Sequence, residues 1–148
     1  MQRHLTTILI GATLLALAAC GSDDTTSQGA DNRPLVDTTW VIDGLISGND
    51  VSSVPENSEA SITISDGTAA VHTGCNRGNA NVEITDDTIT FSPMATTMMA
   101  CEPALMDLES AVTRVLAGEV DYVIDADRMT ISSEGADGAT IGLTLIAK

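Results

Sequence analysis

Basic residues are scarce in this chain. Lys and Arg together number 6 in 148 residues, against 21 Asp and Glu, for a formal net charge of −15. Phosphate binding depends on clustered Lys and Arg, so nucleic acid is excluded as a partner and an anionic membrane face is disfavoured. Aromatic residues are rarer still, with one Trp, one Tyr and one Phe. A core must therefore be filled by Ile, Val, Leu and Met. Familiar chemistry is missing as well. The chain has no D-x-D-x-D-G calcium loop, glycine-rich phosphate loop, serine-hydrolase elbow or H-E-x-x-H zinc helix. Nor does any apolar run reach the roughly 20 residues that a bilayer core requires. The acidity itself reads first as solubility, with a cationic partner or loosely held calcium as its other uses.

What is present begins with an export signal. Arg3 and His4 form a short basic n-region, and Leu5 to Ala19 is a nearly unbroken run of small and apolar residues. The run ends in Leu17-Ala18-Ala19-Cys20-Gly21, which is similar to the bacterial lipobox, whose cysteine receives the lipid and becomes the mature N-terminus. An ordinary signal peptide cut at an A-x-A site is the alternative. Acyl chains contribute about 0.8 kcal/mol per buried methylene, and two or more of them, palmitate among them, anchor durably. Ser22 to Pro34 is polar and acidic, without hydrophobic periodicity, as a flexible tether would be. The expected organisation is a lipoprotein signal peptide at 1–19, a lipid anchor and tether at 20–36, and one domain at 37–148. The expected place is outside the cytoplasm, held to the bacterial cell membrane through Cys20.

Two cysteines, Cys75 and Cys101, remain in that domain. In an oxidising compartment an even pair reads first as a disulfide, with a reduced, reactive thiol as the lesser reading. Closing the loop between them stabilises a fold by about 3–4 kcal/mol on the chain-entropy model.

Period-two segments dominate the domain. They run over Thr39 to Ile46, Ala60 to Ile64, Thr68 to His72, Asn81 to Thr85, Thr88 to Phe91, Val120 to Ile124, Arg128 to Ser132 and Thr140 to Ile146. Turn signals separate them: Asp66-Gly67, Asp86-Asp87, Asp125-Ala126-Asp127 and Gly135-Ala136-Asp137-Gly138. Glu102 to Ala117 differs, because Leu105, Leu108, Val112, Val115 and Leu116 recur at helical spacing while Asp107, Glu109 and Arg114 fall outside that stripe. Pro103 suits the first turn of this helix, Glu102 its positive end and Gly118 its stop. The fold class is α+β: a curved, mainly antiparallel sheet of about seven or eight short strands, partly barrel-like, with one packed helix near 102–117.

The stretch HTGCNRGNAN, residues 72–81, holds the candidate chemistry. His72 and Cys75, with Cys101 brought near and Met98 and Met99 adjacent, would make a soft ligand set for copper or zinc. A Cys75–His72 pair would be the corresponding nucleophile and base. Against both, positions 72 and 75 of a strand tend to face opposite ways, and a disulfide removes both thiolates. Met94, Met98, Met99 and Met106 read as core fillers. In the structural reading, Gly74 and Gly78 supply positive φ and Asn76, Asn79 and Asn81 supply turn chemistry around Cys75. That reading is preferred, so no catalytic residue, metal or cofactor is expected.

Three features together resemble a known family: the Thr39-Trp40 start, Gly74-Cys75-Asn76 after a strand, and Thr97-Met98-Met99-Ala100-Cys101 ahead of Leu108-Glu109. They resemble the META domain, also called HslJ-like, over roughly Leu35 to Lys148. Ala80 and Val82 stand where the family often has Gly and Tyr, and Met98 where it often has a basic residue. The resemblance implies a compact, mostly β fold with a packed helix, in which Gly74, Asn76, Thr97 and Ala100 are structural motif positions. It implies no catalytic residues. HslJ-like members are associated with heat-shock and antibiotic tolerance, novobiocin in particular, so the expected role is stress tolerance or envelope maintenance. The expected mode is non-enzymatic binding of an unknown envelope protein or small ligand. The other readings are a small-molecule or lipid carrier using the concave sheet face, and a copper- or zinc-handling lipoprotein.

Overall fold

The computed structural model describes residues 31–148; the expected signal peptide, Cys20 and most of the expected tether lie outside the described residues. The chain forms β1 (Thr39–Ser47), β2 (Asp50–Ser53), β3 (Ser61–Ser65), β4 (Thr68–His72), β5 (Arg77–Ile84), β6 (Thr88–Phe91), β7 (Ala95–Thr96), α1 (Pro103–Val115), β8 (Glu119–Asp125), β9 (Arg128–Glu134) and β10 (Thr140–Ala147). All strand pairings are antiparallel, in the order β10-β9-β8-β6-β5-β4-β3-β1. β10 also pairs with β1, from Trp40 opposite Ala147 to Ser47 opposite Ile141, so eight strands close into a barrel. The α+β expectation with a barrel-like sheet holds. β2 and β7, hooked onto β1 and β5, are short additions that periodicity does not reveal.

Alternation explains why the sheet closes. β3 and β5 bury every second residue, and their inward side chains meet those of β9 and β10. Trp40, Ile62, Ile131, Leu143 and Leu145 are wholly buried, so the interior is a packed core. A register shift between Ile42 and Gly44 lets β1 bend as it passes from β3 to β2 while keeping β10 on its other edge.

The two ends of the barrel are closed differently. At one end lie the last residues of β1 and β4 and the first of β5 and β10, and α1 crosses there. Leu108, Val112 and Val115 are its buried stripe, as the spacing predicts. Pro103 opens it, and the Glu102 side chain makes no capping bond although its backbone holds the N-cap position. At the other end lie the acidic turns at 66–67, 86–87 and 126–127, and the N-terminal segment folds across them. Arg33 N donates to Ala126 O (2.8 Å), Ala126 N to Asn32 Oδ1 (2.8 Å) and Trp40 Nε1 to Leu35 O (3.1 Å). Val36 bridges Ile64. Residues 32–36, which composition assigns to the tether, are thus held against the barrel. Polar composition hid this, because Asn32 and Arg33 are held through hydrogen bonds and only Leu35 is buried.

Candidate functional site

The turn in the HTGCNRGNAN stretch is tighter than its composition suggests, occupying only residues 73–76 between β4 and β5. Thr73 N donates to Asn76 O (2.8 Å), and Asn76 N donates to Thr73 Oγ1 (3.1 Å). Gly74 supplies the positive φ, at 99°, and a Cβ there would come within 2.8 Å of Leu108 Cδ2. This turn is where α1 rests on the barrel. Gly78 has a different role from the one expected, since it sits inside β5 without positive φ. A Cβ there would lie 2.6 Å from Met94 Sδ, so Gly78 permits close approach rather than a turn. Asn79 and Asn81 are outward-facing strand residues, and the turn uses Asn76 alone of the three asparagines.

Asn76 is 1 % exposed and uses all of its amide's capacity. Oδ1 accepts from Thr97 Oγ1 (2.8 Å) and Met99 N (2.8 Å), while Nδ2 donates to Met99 O (3.1 Å) and Glu109 Oε2 (2.8 Å). This clamps segment 97–99 to the turn. Thr97 Oγ1 in turn accepts from Arg77 N (3.1 Å). Glu109 is the member that sequence reasoning missed. Its position falls outside the apolar stripe, yet its Oε2 lies 3.1 Å from the Thr73 hydroxyl as well as against Asn76. A signal was present: Glu109 is four residues after Leu105 and three before Val112, which sets it on the flank of the apolar stripe.

Beside this network, Cys75 and Cys101 form a disulfide with a Cα–Cα distance of 5.9 Å. It ties the turn to the residue two before α1. The other suggested ligands do not converge. His72 lies on the outer surface of β4, where its Nδ1 accepts from Gly74 N (3.2 Å), while Cys75 is buried at 6 % exposure. Met98 and Met99 are 95 % and 57 % exposed, and Met106 is also exposed. These methionines therefore correct the core-filler reading, because segment 97–100 runs along the outside of the clamp. They border an open groove of about 350 Å³ with Thr97, Ala100 and Glu109. Among the described residues, no group of three or more His, Cys, Asp or Glu is arranged to hold a metal ion.

The architecture is that of a small closed antiparallel barrel, plugged at one end by a helix that a disulfide and an asparagine clamp to a strand turn. The META domain family model matches residues 33–144, and the chain belongs to that family. No curated protein matches it. An NMR structure of a protein from Burkholderia xenovorans is similar, with 20% sequence identity and a TM-score of 0.61 over 100% of this chain and 99% of that one. A second NMR structure, also 20% identical, has a TM-score of 0.55 over 74% of this chain and 87% of the other. At this identity the likeness speaks for the fold alone.

Proposed function

We propose that this META-family protein is a non-enzymatic, lipid-anchored envelope protein that supports stress or antibiotic tolerance by binding a partner. One observation carries the reading: the groups that looked reactive are engaged with one another. The disulfide occupies both sulfurs, and Thr73, Asn76, Thr97 and Glu109 satisfy each other in a clamp. What the clamp presents to solvent is the methionine-bordered groove, whose polarizable, adaptable side chains suit contact with another protein. The lipobox-like Leu17 to Gly21 supports the anchor. The side chains packed inside the barrel speak against a lipid carried on the concave face, and the disulfide speaks against copper or zinc held by the thiolates.

Three measurements test this. Cys20→Ser should move the protein from the membrane to the soluble extracytoplasmic fraction; retention in the membrane would count against the anchor. A photocrosslinking residue at position 98 should give a discrete adduct in intact cells, while one at Val123, exposed elsewhere on the barrel, should not. Identical patterns from the two positions would remove the groove as the contact surface. Loss of the protein should lower survival under heat or novobiocin, and unchanged survival under both would end the tolerance role.

A further inference from the structure

The outer wall of the barrel opposes the acidity of the whole chain at one place. Ser61, His72 and Arg77 form a cross-strand row on β3, β4 and β5, with Thr63, Ala70 and Asn79 as the next row. Lys148 joins them from the neighbouring edge, because its backbone N donates to Thr39 O (2.9 Å). Two adjoining grooves, of about 300 and 380 Å³, share Ser61, His72 and Arg77. Ser61 and Ala70 are small, which keeps the floor low between longer side chains. Among the described residues, the ion pair present is Arg128 with Asp43, so Arg77 and Lys148 are uncommitted.

The hydrogen-bonding pattern is that of a donor surface. With His72 Nδ1 taking the Gly74 N–H, Nε2 is the ring nitrogen left to donate. Thr63 Oγ1 donates to Thr39 Oγ1 (3.1 Å), which frees the Thr39 hydroxyl proton. Ser58 Oγ, on a residue of the same wall, is sealed from solvent without a partner among the described residues. Glu59 is the one acid bordering the grooves. Two cationic side chains, Arg77 and Lys148, thus stand against one carboxylate along the grooves.

We propose that this saddle is an oxyanion-binding site for a small molecule carrying a carboxylate or phosphate group. Arg77 supplies a planar fork, Lys148 a second charge, and His72 and the Thr39 hydroxyl supply neutral donors. The inference is independent of the anchor and of the methionine groove, and either can fail without the other.

The test is a titration of the isotopically labelled full chain, followed by amide NMR at constant ionic strength. The probes are inorganic phosphate, glucose 6-phosphate, glucuronate and, as the neutral control, glucose. Amides of Ser61, His72, Arg77 and Asn79 should shift and saturate with phosphate compounds, with glucuronate or with both, and the saturating arm identifies the oxyanion. Arg77→Gln and Lys148→Gln should each weaken binding by about fivefold to tenfold. Ala70→Leu, which fills the floor and leaves every charge in place, should also weaken it. Non-saturating shifts, an equal response to glucose, or affinities unchanged in all three variants would overturn the site.

Discussion

The two ends of the barrel are held by opposite kinds of information. At the turn end, chain reversal is local: Asp66-Gly67 and Asp86-Asp87 turn where their dipeptides say they should, and neighbouring strands follow by alternation. At the helix end, reversal at 73–76 depends on residues far along the chain. Asn76 bonds Thr97 and Met99, Cys75 bonds Cys101, and Glu109 reaches back from α1. Sequence spacing specifies the hairpins of the first end, and only the N-terminal segment laid across them, bonded to Ala126, is long-range there. The second end is specified by pairs of residues whose partnership exists only after folding. In a domain this poor in aromatic residues, that long-range clamp fixes the helix over the barrel mouth.

Breaking the clamp should separate the two ends energetically. Cys75→Ala with Cys101→Ala should have the largest effect, about 3–4 kcal/mol by loop-closure entropy. That corresponds to a melting temperature lower by roughly 10–20 °C for a domain of this size. Hydrogen exchange should show the loss first at residues 73–76 and along α1, with β8 and β9 protected for longer. Uniform loss of protection would mean that the ends are one cooperative unit. Asn76→Ala comes next, at about 2–3 kcal/mol, because it empties a buried amide site, leaves the part-buried Met99 N–H without its acceptor and removes a donor from Glu109. Urea denaturation reads it directly. A change below about 1 kcal/mol would show that water replaces the amide.

The strand and helix pattern was legible because it follows from period and punctuation, which are local. The eight barrel strands and α1 fall close to where alternation and the 3.6-residue stripe place them. The stretch from Arg77 to Ala80 was not legible, since Gly and Asn look like turn formers until Gly78 is seen facing Met94. The exposed methionines were misread for a related reason. Nothing within Thr97 to Ala100 says that its backbone is held from beneath by Asn76 while its side chains face outward. The disulfide was readable from the even cysteine count, given the expected oxidising compartment, whereas the Glu109 contact needed the angle at which α1 crosses. Gly74→Ala sharpens this point. The change combines a φ of 99° with a 2.8 Å approach to Leu108 Cδ2. It should cost about 2 kcal/mol in thermal or urea unfolding and shift the α1 amides. A shift confined to the turn would disconnect helix seating from the glycine.

The smallest effect should come from the turn end, at Ala126, which adopts φ 55° without being glycine. A left-handed conformation costs an ordinary L-residue roughly 1–2 kcal/mol. Here both backbone polar groups of Ala126 are engaged by the N-terminal segment, with its N donating to Asn32 Oδ1 and its O accepting from Arg33 N. Those bonds hold the strained geometry in place. Ala126→Gly should relieve the strain while adding unfolded-state freedom of about 0.4–1 kcal/mol, so the two terms nearly cancel with a small net gain. Urea unfolding should therefore place this variant within about 1 kcal/mol of the parent, on the stable side. Asn32→Ala, which removes one of the two bonds that hold the strain, should make the same glycine substitution less favourable. If Ala126→Gly instead destabilises by more than the cysteine double variant, the turn end would be the long-range one and the contrast between the ends would be reversed.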